Sequence, residues 1–226
     1  NILPRRFIHI TFILFLLVHQ NKSMPIQKIK SGYRKTRYIL YKETLVDFRE
    51  NFWAFVGSFV GIGIIAYLQS LKFPASDLVF LIGSFGASSV LIYGVIQSPL
   101  AQPRNLIGGH LISAFIGVTV YKLVPDIIWI AAPLAVSLSI VVMQMTKTLH
   151  PPGGATALIA VNGTETVKDV GYEYVFSPVL IGVFILFVVA LFFNNLTSKR
   201  HYPDNKKYDF IKYKIHGLFG ENSYEK

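Results

Sequence analysis

Cysteine is absent from the 226 residues, which excludes a disulfide scaffold, a thiolate zinc site, a Cys-ligated iron–sulfur cluster and a cysteine nucleophile. Charge is also scarce. Only 15% of residues are Asp, Glu, Lys or Arg against 52% hydrophobic, and the mean hydropathy is +0.47. A composition this apolar indicates a membrane protein rather than a soluble domain. Residues 51–196 hold five basic and five acidic side chains, residues 1–50 hold ten and three, and residues 197–226 hold seven and four. The net charge of +10 therefore belongs to two flanks around a neutral middle, as the positive-inside rule expects of cytoplasmic segments. No basic stripe interleaved with aromatics lies in the apolar middle, so nucleic acid is not an expected partner.

A hydrocarbon core about 30 Å thick needs roughly 20 apolar residues in helical form. Five runs approach that length: Trp53–Leu71, Leu78–Ile96, Leu106–Tyr121, Ile127–Thr146 and Val175–Leu196. None contains Asp, Glu, Lys or Arg, although the third carries His110. The expected fold class is thus all-α, a polytopic transmembrane helical bundle with five long spans, in contact with the lipid bilayer. Gly57-x-x-x-Gly61 in the first run reads as a packing or dimerisation face.

Two segments interrupt the helical pattern. Ser98-Pro99-Leu100-Ala101-Gln102-Pro103-Arg104-Asn105 leads to Gly108-Gly109-His110, and Thr148-Leu149-His150-Pro151-Pro152-Gly153-Gly154 leads to Ala155-Thr156-Ala157-Leu158. Each leaves an apolar helix, passes through proline, reaches a Gly-Gly pair and resumes with small residues. Irregular backbone at membrane depth survives only where protein or water covers it, and paired Gly/Pro-interrupted segments point to the binding site of a transporter. The alternative is a pair of ordinary loops between spans.

The basic stretch from Lys22 to Arg49 places the N-terminus in the cytoplasm. Five crossings would then leave the basic tail outside and the loop with Glu165, Asp169 and Glu173 inside, both against preference. An additional abbreviated crossing by Gly153 to Val161 removes both conflicts, and a re-entrant His-Pro-Pro-Gly-Gly segment is the other option. Residues 1–23 join Arg5-Arg6 to a twelve-residue apolar run, Phe7 to Val18, imitating a signal peptide without its small-x-small cleavage site. They are set apart as an N-terminal extension, followed by a basic cytoplasmic leader over 24–50.

His150-Pro151-Pro152-Gly153-Gly154-Ala155-Thr156-Ala157-Leu158, with Gly83-Ser84-Phe85-Gly86-Ala87-Ser88-Ser89 and Ser98-Pro99-Leu100-Ala101-Gln102-Pro103-Arg104-Asn105 upstream, resembles the HPP family of integral membrane proteins. The likeness covers roughly residues 50–196, so 51–196 is taken as an HPP-type transmembrane domain and 197–226 as a basic C-terminal tail. Plant plastid and cyanobacterial members are regarded as nitrite transporters, and the resemblance implies transport of a small inorganic anion, nitrite first. The family is usually described with four spans against the five runs counted here. A bacterial inner (plasma) membrane is the expected location.

The residues themselves are compatible with anion binding. A broken helix offers unpaired N–H groups carrying partial positive charge at its N-terminus. By this argument Gly153, Gly154 and Ala155 present backbone donors and Thr156 adds a hydroxyl, while Gly108, Gly109 and His110 open the helix after Arg104-Asn105. Arg104 carries a fork of donors suited to a planar anion, or is a cytoplasmic loop arginine. His110 and His150 are proton carriers, donors or packed interhelical partners. Ser84 and Ser88, spaced i, i+4, share one helix face that lines a path or packs. The expected anion site is therefore Arg104, Asn105, Gly109, His110, His150, Gly153, Gly154, Ala155, Thr156, Ser84 and Ser88, with no catalytic residue, metal or cofactor assigned. A homo-oligomer is expected. The competing readings are a membrane-embedded enzyme built on His110 and His150, and a structural membrane protein.

Overall fold

Residues 47–73, 75–197, 199–205 and 209–218 are described by the computed structural model, with residues 76–82 described by their backbone only. The expected N-terminal extension and all but the end of the basic leader lie outside these residues. Among them are eight α-helices and no strand. They are α1 (Phe48–Ser70), α2 (Ala75–Ser89), α3 (Pro103–Leu123), α4 (Ile128–Met145), α5 (Pro151–Asn162), the short α6 (Glu165–Asp169), α7 (Ile181–Phe193) and α8 (Asp209–Leu218).

Among the described residues, four stretches are long and apolar enough to cross a membrane: α1, α3, α4 and Val175–Phe193, which ends in α7. The run expected as the second span is divided. Helix α2 stops at Ser89 and continues as a π-helical turn over Val90–Gly94. The last stretch also begins as a π-helical segment, with a kink at Ser177 (φ −135°, ψ 112°) directly before Pro178. Proline supplies no N–H and disfavours helical backbone in the residue before it, which accounts for the kink.

Large apolar side chains cover the outside. Phe48, Phe55, Phe59, Tyr67, Trp129 and Met145 are each well exposed. In water such a surface would be an association site, whereas a lipid-facing surface is as apolar as the core it encloses. The apolar core gathers Ile65, Phe85, Ile92, Leu106, Val183 and Leu186 from α1, α2 and its π-helical turn, α3 and α7. The Gly57-x-x-x-Gly61 face is filled within the chain. A Cβ at Gly57 would lie 2.7 Å from the Tyr93 ring and 2.9 Å from Phe193, and one at Gly61 would lie 3.1 Å from Leu186.

Helix α5 packs along α3, with α4 and α2 on its other sides. The seam is made of small residues on both helices, which lets the backbones approach closely. On α3 these are Gly109, Ser113 and Gly117, one turn apart, and they meet Gly153, Ala157 and Ala160 of α5. A Cβ on Gly153 would fall 2.8 Å from Ser113 Oγ and 2.9 Å from the Gly109 carbonyl, and one on Gly117 would fall 2.7 Å from the Ala157 carbonyl.

The two flanks of the bundle meet at one end. Thr197 and Arg200, which follow α7, reach Glu50 in the first turn of α1: the Thr197 hydroxyl donates to Glu50 Oε2 at 2.9 Å, and Arg200 Nε lies 3.9 Å from the same oxygen. Arg200 also donates to the Tyr93 carbonyl at 2.7 Å and to Asn194 Oδ1 at 2.6 Å. Burial pulls its guanidinium below the usual arginine range, and the Glu50 carboxylate opposes that shift. The Tyr202 hydroxyl donates to the Ala101 carbonyl at 2.8 Å, bringing the loop before α3 to the same end. The basic tail is therefore partly built into the fold rather than being only a solvated flank, and α8 buries Ile215 and His216.

Candidate functional site

Both interruptions of the helical pattern come together at this end of the bundle, and proline shapes each. In the second, His150 caps α5 with extended backbone (φ −139°, ψ 104°) and Pro151 and Pro152 occupy the first turn, where a missing N–H leaves nothing unsatisfied. In the first, Pro103 opens α3 after Gln102. Arg104 and Asn105 are thus already helical, and Gly108, Gly109 and His110 lie inside α3 instead of opening it. Pro103, with φ preset for a helix, starts the element earlier than the glycine pair suggested.

Arg104 and Asn105 tie α3 to the loop before α5. Arg104 is exposed, and its Nη2 donates to the Thr146 carbonyl at 2.7 Å. Asn105 Nδ2 donates to the Leu149 carbonyl at 2.7 Å. Lys147 in that loop has positive φ (55°) and is exposed. Gly108 faces Thr148, whose Cγ2 would stand 2.6 Å from an added Cβ, and Gly109 faces the Thr148 carbonyl and the His150 Cβ. The Gly153 N–H donates to the His150 carbonyl at 2.8 Å. Gly109 and Gly153 are thus contact points between α3 and α5, while Gly154 and Ala155 are half-buried and a Cβ at Gly154 would meet only Val136 at 3.8 Å.

Deeper in, five of the expected side chains form one connected polar cluster. Ser88 Oγ lies 2.7 Å from His110 Nε2 and 2.9 Å from His150 Nε2. His110 Nδ1 lies 2.7 Å from Thr156 Oγ1, which lies 2.7 Å from Ser84 Oγ. His150 Nδ1 lies 2.8 Å from the Leu100 carbonyl oxygen. His110, His150 and Ser88 are 0% exposed, and Thr156 and Ser84 are 2% and 3% exposed. The histidine rings stand 4.9 Å apart between centroids, with Phe85 packed 5.5 Å from His110.

The local sequence explains the placement. Ser84 and Ser88 lie one turn apart on α2 and so face α5 together. Thr156 lies six residues along α5 from the cap His150, and His110 extends from the small-residue seam of α3. Arg104 does not join this cluster, because it occupies the exposed first turn of α3 six residues before His110. Among the described residues no three His, Cys, Asp or Glu side chains are grouped to hold a metal.

A cleft of about 320 Å3 opens beside the cluster between α2 and α5, bordered by Gly83 and Ser84 on one side and Ala155, Ile159 and Asn162 on the other. Ser84 is therefore both a member of the cluster and part of the cleft wall. The sequence did not single out three further contributors. The Leu100 carbonyl is a backbone group without a sequence signal. Tyr174, whose hydroxyl donates to the Thr156 carbonyl at 3.1 Å, follows a polar loop like any span-edge tyrosine. Ser113, donating to the Met143 sulfur at 3.6 Å, was detectable as the middle member of Gly109-x-x-x-Ser113-x-x-x-Gly117.

These features define an integral membrane protein, an all-helical bundle with a polar cluster buried between broken helical segments. The family profile described as HPP, transmembrane region, matches residues 43–203, and the chain belongs to that family. It is similar to two transmembrane proteins of Dictyostelium discoideum. One is 46% identical over 160 residues, covering 70% of this chain and 56% of the relative, and the other is 45% identical over 162 residues, covering 70% and 51%. The chain spans about half the length of these curated relatives. No solved structure matches it.

Proposed function

We propose that the chain carries a small inorganic anion across the membrane, nitrite being the first candidate. The observation that supports this reading best is the cluster of uncharged donors, Ser84, Ser88, His110, His150 and Thr156, buried amid apolar helices whose acidic residues, Glu50 of α1 and Asp77 of α2, are confined to first turns. A dehydrated anion needs N–H and O–H donors, and a cation or proton carrier built on carboxylates would need Asp or Glu deeper in a span. Ser84 in the cleft wall is the first donor such an anion meets. Arg104 attracts it at the opposite entrance, since a guanidinium has five N–H donors of which one is directed at Thr146.

In this reading α5 completes the pathway as a broken helix of 12 residues, about 18 Å long at 1.5 Å per residue. It crosses only with the help of its neighbours. The end carrying Glu50 and Arg200 is the cytoplasmic one.

Uptake by proteoliposomes tests the proposal, with nitrite compared against nitrate, bicarbonate, formate and chloride. Saturable nitrite uptake is expected, falling about tenfold or more in Arg104→Ala, because a charge-assisted contact is worth about 1.5–3 kcal/mol. Wild-type protein that moves none of these anions removes the transport reading, and unchanged flux in Arg104→Ala removes Arg104 from the site.

One observation favours a second reading, a membrane-embedded enzyme. Ser88 Oγ is held by an imidazole that a carbonyl orients in turn, which is the arrangement of an activated nucleophile. That reading requires substrate access to Ser88, which is fully buried.

A further inference from the structure

We propose that Ser84, Thr156, His110, Ser88 and His150 form a proton relay of fixed polarity, which loads one proton onto His150 from the cleft between α2 and α5. The polarity follows from one group. The Leu100 carbonyl can only accept, so at 2.8 Å His150 Nδ1 must bear the hydrogen and the neutral ring accepts at Nε2. Ser88 therefore donates to His150 across 2.9 Å. Its single hydrogen being committed, the 2.7 Å contact with His110 has His110 Nε2–H as donor. His110 Nδ1 is then an acceptor and takes the Thr156 hydroxyl hydrogen, and Thr156 accepts from Ser84. The contacts left without a hydrogen are the longer ones: Ser88 to the Ser84 carbonyl at 3.2 Å, and Ser84 and Thr156 to the Pro152 carbonyl at 3.3 and 3.5 Å. Every short bond thus agrees with a single direction, from Ser84 to Leu100.

The loading step balances. A hydronium ion in the cleft gives its proton to Ser84 Oγ, Ser84 passes its own hydrogen to Thr156, and Thr156 passes its own to His110 Nδ1. His110 releases its Nε2 hydrogen to Ser88, and Ser88 releases its own to His150 Nε2. One proton has entered. His150 is now an imidazolium donating to Leu100 and to Ser88, His110 is neutral with its hydrogen moved to Nδ1, and all three hydroxyls are reversed. The carbonyl stops the chain at His150, so the proton is held there and leaves by the reverse path or after the loop bearing Leu100 shifts. The cleft and the relay together connect the end of α5 near Asn162 to the end bearing Leu100 and Arg104.

The titratable and charged groups around the pair are few. Helices α4, α5 and α7 contribute none. Tyr174 faces Thr156 through its backbone, and Tyr202 donates to the neighbouring Ala101 carbonyl. Arg104 on α3 and Lys147 in the loop before α5 are both exposed. Within the cluster only the two histidines exchange a proton with the hydroxyls.

The inference concerns proton transfer whatever the cargo, and its test reads ring protonation rather than flux, so it can fail or hold independently of anion transport. Histidine 15N NMR of the protein in lipid bilayers reports which ring nitrogen lacks hydrogen, with His110→Asn and His150→Asn giving the assignments. At neutral pH the expected result is an unprotonated Nε2 on His150 and an unprotonated Nδ1 on His110. On acidification from about pH 8 to about pH 4, His150 gains its second proton, and in the same step the bare nitrogen of His110 moves from Nδ1 to Nε2. Ser88→Ala should uncouple the two changes, and Ser88→Thr, which keeps the hydroxyl, should restore them. The proposal is overturned by the opposite tautomers at neutral pH, by two independent titrations in wild type, or by no change at either ring over that range.

Discussion

The glycine pair at the start of α5 separates two physical roles that the sequence leaves merged. Gly153 and Gly154 are adjacent and both lie in a helix, so replacing either with alanine gains about 0.5–1 kcal/mol from reduced backbone entropy in the unfolded chain. That gain is common to both variants and cancels when they are compared. Their surroundings differ. The Cβ of Gly153→Ala would stand 2.8 Å from Ser113 Oγ and 2.9 Å from the Gly109 carbonyl, and the second contact is backbone of the adjoining helix. The Cβ of Gly154→Ala would find Val136 at 3.8 Å, an ordinary contact. Overpacking a close seam costs about 1–3 kcal/mol, so Gly153→Ala should be less stable than Gly154→Ala by that amount. Reversible unfolding in bicelles, measured on both variants and wild type, checks this, with Gly154→Ala expected at or slightly above wild type. Equal stabilities, or a greater loss in Gly154→Ala, would refute the assignment of Gly153 to the α3–α5 seam.

Two further predictions concern the rest of the bundle. Gln69 is 6% exposed and neither of its amide atoms has a hydrogen-bond partner among the described residues, so Gln69→Leu should stabilise the protein by about 1–2 kcal/mol; a destabilised variant in the same unfolding assay would mean that the amide is satisfied in the membrane. Arg200→Ala removes the donor to the Tyr93 carbonyl and Asn194 and takes the guanidinium away from Glu50, whose side chain is 12% exposed, with Lys212 remaining as a cation that acts on that carboxylate. It should cost about 3–5 kcal/mol, and a loss below about 1 kcal/mol, the range of exposed ion pairs, would show that the tail contributes little to holding the flanks.

Much of the bundle was legible because lipid imposes a simple rule on sequence. A helix that satisfies its own backbone and faces hydrocarbon must read as a long uncharged run, and four such stretches are present among the described residues. The second run reads as one uninterrupted span, since no composition rule registers where α2 gives way to a π-helical turn at Val90. The site was legible in part for a similar reason. Ser84 and Ser88 share a face by helical spacing alone, and the unusual His-Pro-Pro-Gly-Gly string marks a cap. That one serine would stand between both histidines depends on how α2, α3 and α5 pack, and that information is spread over the small residues of the seam. The glycines were read as openings for a ligand, while their neighbours show Gly109 and Gly153 in close helix contact.

The contacts at the two ends of the bundle also set the direction in which each helix runs. Glu50 opens α1 and Arg200 follows α7, so their ion pair places the first and last apolar helices with those ends on one side. Tyr202 brings the loop before α3 to that side, and Arg104 brings the loop before α5 there through Thr146. Lys168, in the loop after α5, pairs with Asp126 between α3 and α4 at 3.4 Å, so those two loops share the opposite side. Contacts of this kind make α1, α2, α3, α4, α5 and the Val175–Phe193 stretch run alternately up and down the bundle. A twelve-residue helix such as α5 would cross a membrane only with its ends sheltered by neighbours, and proline at its first turn, a glycine seam and a polar cluster buried beside it are features of that kind. The same alternation puts Glu50 and Arg200 at one end of the bundle and the loop with Glu165, Asp169 and Glu173 at the other.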